Sequence, residues 1–267
     1  MNFAHPAFTP YRELIAELTL PRGLPTLEAL NASAAARNIR NAAGRPLRFV
    51  ESNGRLSARA YETAILQTGA VPMRSTTWHD VLNALVWLRF PQFKGALNAA
   101  HGAAIAAENG AVRGPARDAL TVLDESGVWV ASRSPALPQL LRERAWHALF
   151  WGARAEVERD MAFIVVGHAL LEKALTPYPA MTGKCLVLNA ETLDANPLDA
   201  DALDATAARE LVQIARPRAL PPLPVQGIPG WDPANASAGY YANVKIFRPL
   251  RDAPCCARDE TLAGAAR

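Results

Sequence analysis

Three of the five histidines in this 267-residue chain have polar partners at helical spacing. In the stretch beginning at Trp78, His79, Asn83 and Trp87 recur every four residues, so they share one helix face beside an apolar stripe of Leu82, Leu85 and Val86. Past Pro91, Lys94, Asn98 and His101 form a second polar line at spacings of four and three, and the two lines can face each other across the proline. His168 and Glu172 make a third pair directly after Gly167, where a strand-to-helix junction can present two ligands; an intrahelical hydrogen bond explains the same spacing.

These residue types suit acid-base or hydrolytic chemistry, because histidine titrates near neutral pH. His79, His168, Glu172 and Asp118 are the expected catalytic groups, with Arg74, Asn83, Lys94, Asn98, His101 and Arg117 as ligand-binding side chains. A divalent metal is the candidate cofactor, held by a subset of His79, His101, His168 and Glu172, although these match no standard metal spacing. Asp118 and Asp124-Glu125 bracket an apolar run beside Arg117 and could bind a cation or act as a base; Asp124-Glu125-Ser126-Gly127 is also what a hairpin turn uses for its own backbone bonding. His147, after Trp146, reads as a helix-surface residue. No Gly-rich phosphate loop, Gly-x-Ser-x-Gly elbow, Cys-x-x-Cys or His-Glu-x-x-His occurs, so there is no nucleotide-cofactor motif.

Helical segments are expected at Tyr11 to Leu18 and Thr26 to Ala42, within a helical opening segment over 1–45. Leu47 to Glu51, the turn at Ser52-Asn53-Gly54 and Tyr61 to Leu66 read as one hairpin. Ala119 to Leu123 and Val128 to Ala131 read as a second. Thr77 with Asp80 three residues on is a capping box for a helix from Trp78 to Phe90, and a second helix runs from Gln92 to Glu108. A helix over Pro135 to Phe150 follows, then strand Phe163 to Val166, helix His168 to Leu175, strand Lys184 to Leu188, and an amphipathic helix from Asp199 to Ala215. Eight prolines from Pro217 to Pro254 argue against regular structure there, while Trp231, Tyr240, Tyr241 and Phe247 imply that 217–250 wraps over the domain surface. Gly227 and Gly230 are expected to supply unusual dihedrals. Residues 251–267 read as a frayed tail.

Half the residues are hydrophobic and a fifth charged, the balance of a globular protein. The net charge of +3 is small and the basic residues are dispersed, which argues against a dedicated nucleic-acid binder; only Arg74, Lys94, Arg117 and Arg248 are available for that role. Neither a signal-like amino terminus nor a run approaching the roughly 20 apolar residues of a membrane span is present, and Cys185 with the adjacent Cys255-Cys256 offers no disulfide framework, so a soluble cytoplasmic protein is expected.

Several segments together resemble a bacterial family, domain of unknown function 3025. They are Gly69-Ala70-Val71-Pro72-Met73-Arg74, Trp78-His79-Asp80 with Asn83-Ala84-Leu85-Val86-Trp87, and Phe90-Pro91 with Lys94, Asn98 and His101. Arg117-Asp118-Ala119-Leu120-Thr121, Asp124-Glu125-Ser126-Gly127, Gly167-His168-Ala169-Leu170 with Glu172-Lys173, Gly227-Ile228-Pro229-Gly230-Trp231 and Phe247-Arg248-Pro249 continue it. The resemblance runs in order from Pro46 to Arg251 and implies one domain over 1–250, but no activity. The family pattern has two aspartates after the tyrosine where this chain has Ala242-Asn243, and threonine in place of Met73; were those aspartates ligands in relatives, this chain would lack them.

The expectation is therefore a single α+β domain, mostly helical, with a small mixed or antiparallel sheet built on two hairpins and a Pro-rich irregular C-terminal wrap. Functionally, one polar cleft is expected to bind a small anionic ligand or a metal ion. The alternative is a non-catalytic interaction or scaffold protein in which the same side chains form a buried hydrogen-bond network that fixes helix packing.

Overall fold

The chain opens with short helices, α1 (Arg12–Glu17) and α2 (Leu27–Ala36), the second begun by the Thr26 hydroxyl, which accepts from the Ala29 amide. α2 stops well before Ala42, because Asn38 takes a left-handed φ of 48° and Arg40 then bridges to Pro46. The computed structural model describes residues 1–52, 54, 56–108, 113–188, 199–211, 214 and 217–250.

Neither expected hairpin forms. β1 (Arg48–Glu51) pairs in parallel with β2 (Ala70–Met73), and the segment read as the returning strand is helix α3 (Ala58–Thr68). Ser57 caps α3 by accepting from the Ala60 amide, and Gly69 ends it at φ 73°, so the local chemistry is that of a helix between parallel strands. Likewise Ala119 to Leu123 lies inside helix α6 (Pro115–Ser126), with Pro115 at its first turn and Ala119, Leu120 and Leu123 turned to the core.

The polar helices form as expected. α4 (Trp78–Arg89) starts where Thr77 accepts from the Asp80 amide at 3.4 Å, and every residue from Val81 to Leu88 is buried. Pro91 is the first residue of α5 (Pro91–Ala107), whose N-terminal amides at Gln92 and Phe93, without partners inside the helix, donate to Asp204.

β3 (Gly127–Ser132), buried along its whole length, is central to a four-stranded sheet of order β4-β3-β5-β6. β4 (Met161–Val165) runs antiparallel to β3, and β5 (Thr182–Val187) runs parallel to it on the other side. The strand-helix-strand unit is present as β4, α9 (His168–Ala174) and β5, but β3 lies between its strands and it is not a parallel crossover. The helix expected over Pro135 to Phe150 is broken: α7 (Ala136–Arg142) ends near Arg144, at φ 54°, and a π-helical turn at Ala148–Gly152 leads into α8 (Arg154–Asp160). His147 is exposed.

α10 (Ala200–Glu210) packs on α5. The following wrap is more regular than its prolines suggest, because β6 (Pro222–Pro224) is an edge strand where missing amides are tolerated, and it pairs with β5. Trp146 donates to the Arg248 carbonyl, fastening the wrap down, and Tyr241 donates to the Gly227 carbonyl within it. Gly230 has the expected positive φ of 78°; Gly227 does not, and is instead needed because a Cβ there would lie 2.7 Å from the Phe247 ring. One cluster of buried apolar side chains runs from Ala7 to Phe247. Among the described residues no helix is long and apolar enough to cross a membrane. Cys255, Cys256 and the expected tail lie outside the described residues.

Candidate metal centre

The centre is built on a close backbone contact between two glycines. The amides of Val166 and Gly167 both donate to the Gly127 carbonyl, and a Cβ on Gly167 would fall 2.3 Å from the Gly127 nitrogen. This contact sets His168, the first residue of α9, against the C-terminal turn of α6, which carries Asp124 and Glu125. α4 packs on α9 and brings His79, in its first turn, over His168.

The two imidazoles meet with Nε2 atoms 3.1 Å apart, rings inclined at 74°. Glu125 Oε2 lies 3.6 Å from His168 Nε2. Ligand atoms of His79, Glu125 and His168 are thus all within 4.8 Å of one another. Two nitrogens on a tetrahedral zinc, each at a bond length of about 2.05 Å, stand about 3.3 Å apart, so the pair is spaced as for a shared ion.

The far nitrogen of the His79 ring meets a carboxylate, the arrangement that orients metal-binding histidines, whereas that of His168 is buried without a hydrogen bond among the described residues. His79 Nδ1 lies 2.8 Å from Glu172 Oε2, and His168 Nδ1 lies 3.9 Å from Asp124 Oδ2. Glu172 therefore pairs across to α4, not back to His168 in its own helix. Asp124 is also bound by the buried Lys94, whose ammonium donates to Asn83 Oδ1 at 2.8 Å; Asn83 in turn donates to the Tyr61 hydroxyl. Burial opposes the charge on Asp124, but Lys94 beside it prevails and its pKa lies below the usual carboxylate range. Burial pushes His168 down to about 4 against the pull of the Asp124 carboxylate, with Lys94 and His79 adding to the fall, so the ring is neutral at pH 7, the form that ligates metals. Burial, reinforced by Asp124, raises Glu125 above its ordinary value.

His79, Asn83, Asp124, Glu125 and His168 line an open cleft of about 720 Å³, which also takes in Tyr61, Glu62, Arg74 and His101. Its cations are already committed, Arg74 to Asp80 at 2.8 Å and Arg113 to Asp118 at 2.7 Å, as is Lys94 behind it, to Asp124. Arg117, behind the wall, is held by Glu108 at 2.9 Å. Among the described residues, Glu62 and Glu125 pair with no lysine or arginine. Uncommitted charge in the cleft is therefore negative.

Of the residues singled out in the sequence, Arg74, His79, Asn83, His101 and His168 line the cleft, with Glu172 beside them and Lys94 and Asn98 lining a small inner cavity. Asp118 and Arg117 line neither space: Asp118 points outward to Arg113, and Arg117 is buried against Glu108. Asp80 is not explained by a capping box alone, since its carboxylate holds the Arg74 backbone and guanidinium. Glu125, weighed in the sequence as part of a cation-binding acidic pair but left out of the expected metal set, joins the two imidazoles; its turn-like sequence is the end of a helix, not a hairpin. Tyr61 and Glu62 were hidden by the strand reading of α3. The departures at Ala242 and Asn243 are exposed and outside the cleft, whereas Met73 lines it.

No curated protein and no solved structure matches the chain. A family profile described as protein of unknown function, DUF3025, matches residues 47–251, which span β1 to the end of the wrap and every residue of the cleft. The chain accordingly belongs to the DUF3025 family.

Proposed function

We propose that the cleft binds one divalent metal ion of the zinc type through His79 Nε2, His168 Nε2 and the Glu125 carboxylate, and that it serves a metal-assisted hydrolytic or acid-base reaction. The convergence of three ligand atoms, two of them 3.1 Å apart, carries this reading. Charge supports the metal over a small anion: the cleft's cations are paired within the protein, while Glu62 and Glu125 are not. A three-ligand set leaves a coordination position open, which is the pattern of catalytic zinc and not of closed structural sites.

An ion held there supplies Lewis acidity and a nucleophilic water at neutral pH. The chain's own residues then have separate tasks. Glu172 orients the His79 imidazole, Asp124 sets a negative charge 3.9 Å from His168 Nδ1, and Lys94 with Asn83 keeps Asp124 in place. Glu62, on the same wall as Tyr61, is pushed up to about 7 by burial and by Asp124, so it can carry a proton to or from a bound substrate near neutral pH.

A purely structural network fits less well, because Asn98 Oδ1 and His101 Nδ1 are buried without partners, and networks that fix packing are satisfied throughout. Calorimetric titration of chelator-treated protein with Zn²⁺ tests the proposal. One ion per chain is expected, with His168→Ala and Glu125→Ala each weakening it at least 100-fold, and zinc-loaded protein should hydrolyse an activated ester such as p-nitrophenyl acetate faster than stripped protein. Absence of stoichiometric binding to the wild type would reject the metal; binding without hydrolysis by any zinc-loaded sample would reject the reaction class.

A further inference from the structure

The geometry points to a substrate subsite at the inner end of the cleft, formed by Glu62, Asn98 and His101, that takes one uncharged donor-bearing group: the NH2 of a carboxamide or a hydroxyl. Its use in a reaction rests on the metal reading above, but its recognition chemistry stands on different residues.

Behind the main cleft lies a small cavity of about 10 Å³, lined in part by Tyr61, Glu62, Lys94, Asn98 and His101. Tyr61, Glu62 and His101 line both spaces, so the cavity is the cleft's inner end. Its size admits a single water-sized polar group. Asn98 is 2% and His101 4% exposed. The Asn98 amide is fixed in orientation: its nitrogen donates to the Glu62 carbonyl at 3.0 Å and to Glu62 Oε2 at 2.7 Å. Asn98 Oδ1 must therefore point the other way, where it is a buried acceptor without a donor. His101 Nδ1 is likewise buried and unpartnered.

These groups select the ligand's chemistry. An anion would meet the Asn98 oxygen and the Glu62 carboxyl, both acceptors when Glu62 is ionised. An ammonium would meet Lys94, which lines the same cavity. An uncharged hydroxyl or amide NH2 gives its hydrogen to Asn98 Oδ1 and can also satisfy the neutral imidazole, whose charged form burial disfavours. A site built around a hydrogen-bonding group discriminates strongly against an isostere lacking it, because its own polar atoms are then left unpaired. The substrate class is accordingly small uncharged amides or alcohols, not phosphate esters.

The test is ¹⁵N NMR of the histidine rings of the full chain, with the His101 signals assigned through His101→Phe, titrated with acetamide, with its donor-free isostere acetone, and with inorganic phosphate. Acetamide should shift the His101 signals saturably and bind at least tenfold tighter than acetone, Asn98→Leu should abolish that preference, and phosphate should leave His101 unmoved. Equal response to acetamide and acetone, a phosphate-driven shift of His101, or no response to acetamide at any concentration would overturn the subsite; the last would mean a cavity for water alone. Zinc added in a separate titration reads His79 and His168, so failure of the metal appears at other signals than failure of the subsite. The wild-type comparison of acetamide with acetone decides the matter even where Asn98→Leu does not fold.

Discussion

Lys94→Met is the perturbation that bears hardest on how the cleft is held together. Lys94 is 3% exposed, and its ammonium serves Asp124 and Asn83 at once. Methionine conserves most of its volume but leaves Asp124 as a carboxylate facing Glu62 and Glu125 with no counter-charge. Removing one partner of a buried pair costs about 3 to 5 kcal/mol, a large fraction of the roughly 5 to 15 kcal/mol that stabilises a typical protein. Part of the loss comes from the contact of Lys94 with the Trp87 ring, 5.4 Å away, which no change at Asp124 restores. The double variant Lys94→Met with Asp124→Asn removes both charges, and replacing a buried pair with neutral groups is often close to neutral. It should therefore recover about 2 to 3 kcal/mol relative to the sum of the single changes. Urea unfolding at pH 7, followed by the fluorescence of the buried Trp87 and Trp129, measures all four proteins. A cost below about 1 kcal/mol for Lys94→Met, or strict additivity in the cycle, would refute the argument that this pair is what fixes Asp124.

Other outcomes follow from the same geometry. Gly167→Ala should cost about 2 to 3 kcal/mol in urea unfolding and weaken zinc binding, because its Cβ would overlap the Gly127 backbone, which cannot rotate away as a side chain can. Glu62 has a folded pKa of about 7, raised above its unfolded value, so the folded state holds the proton more tightly; the associated stability is full below about pH 4.5 and is lost as pH rises through 7, by about 2 to 3 kcal/mol. Glu62→Gln should flatten that slope, which unfolding at pH 5 and pH 8 reads. Glu172→Ala should lower zinc affinity by about 10- to 100-fold through a less ordered His79, while changing stability by under about 1 kcal/mol, since the pair is half exposed.

Much of the centre was legible as helical spacing. Thr77 marked the start of α4 and Pro91 the division from α5, so the facing of Asn83 and Lys94 could be anticipated, and it is realised as a 2.8 Å hydrogen bond. The His168 helix was visible because Gly167 separates it from a buried strand. Glu125 was visible only as half of an acidic pair and not as a partner of the histidines, because Asp-Glu-Ser-Gly satisfies the local rules for a turn equally well; Pro115 at the first turn and the spacing of Ala119, Leu120 and Leu123 were the signals for a helix. The pairing of β1 with β2 was hidden for another reason. It joins Phe49 to Val71 across a helix, and the rules that detect hairpins see only neighbouring strands. The partner of Glu172 was equally out of reach, since His79 lies 93 residues away and only the packing of α4 on α9 brings it close.

X-ray absorption at the metal edge of the zinc-loaded protein tests the central claim most directly. Two imidazole nitrogens and one carboxylate oxygen at about 2.0 to 2.2 Å, with one imidazole lost in His79→Ala and one in His168→Ala, is the predicted first shell. A shell that keeps both imidazoles in either variant, or that contains sulfur, would place the ion elsewhere on the chain and contradict the account.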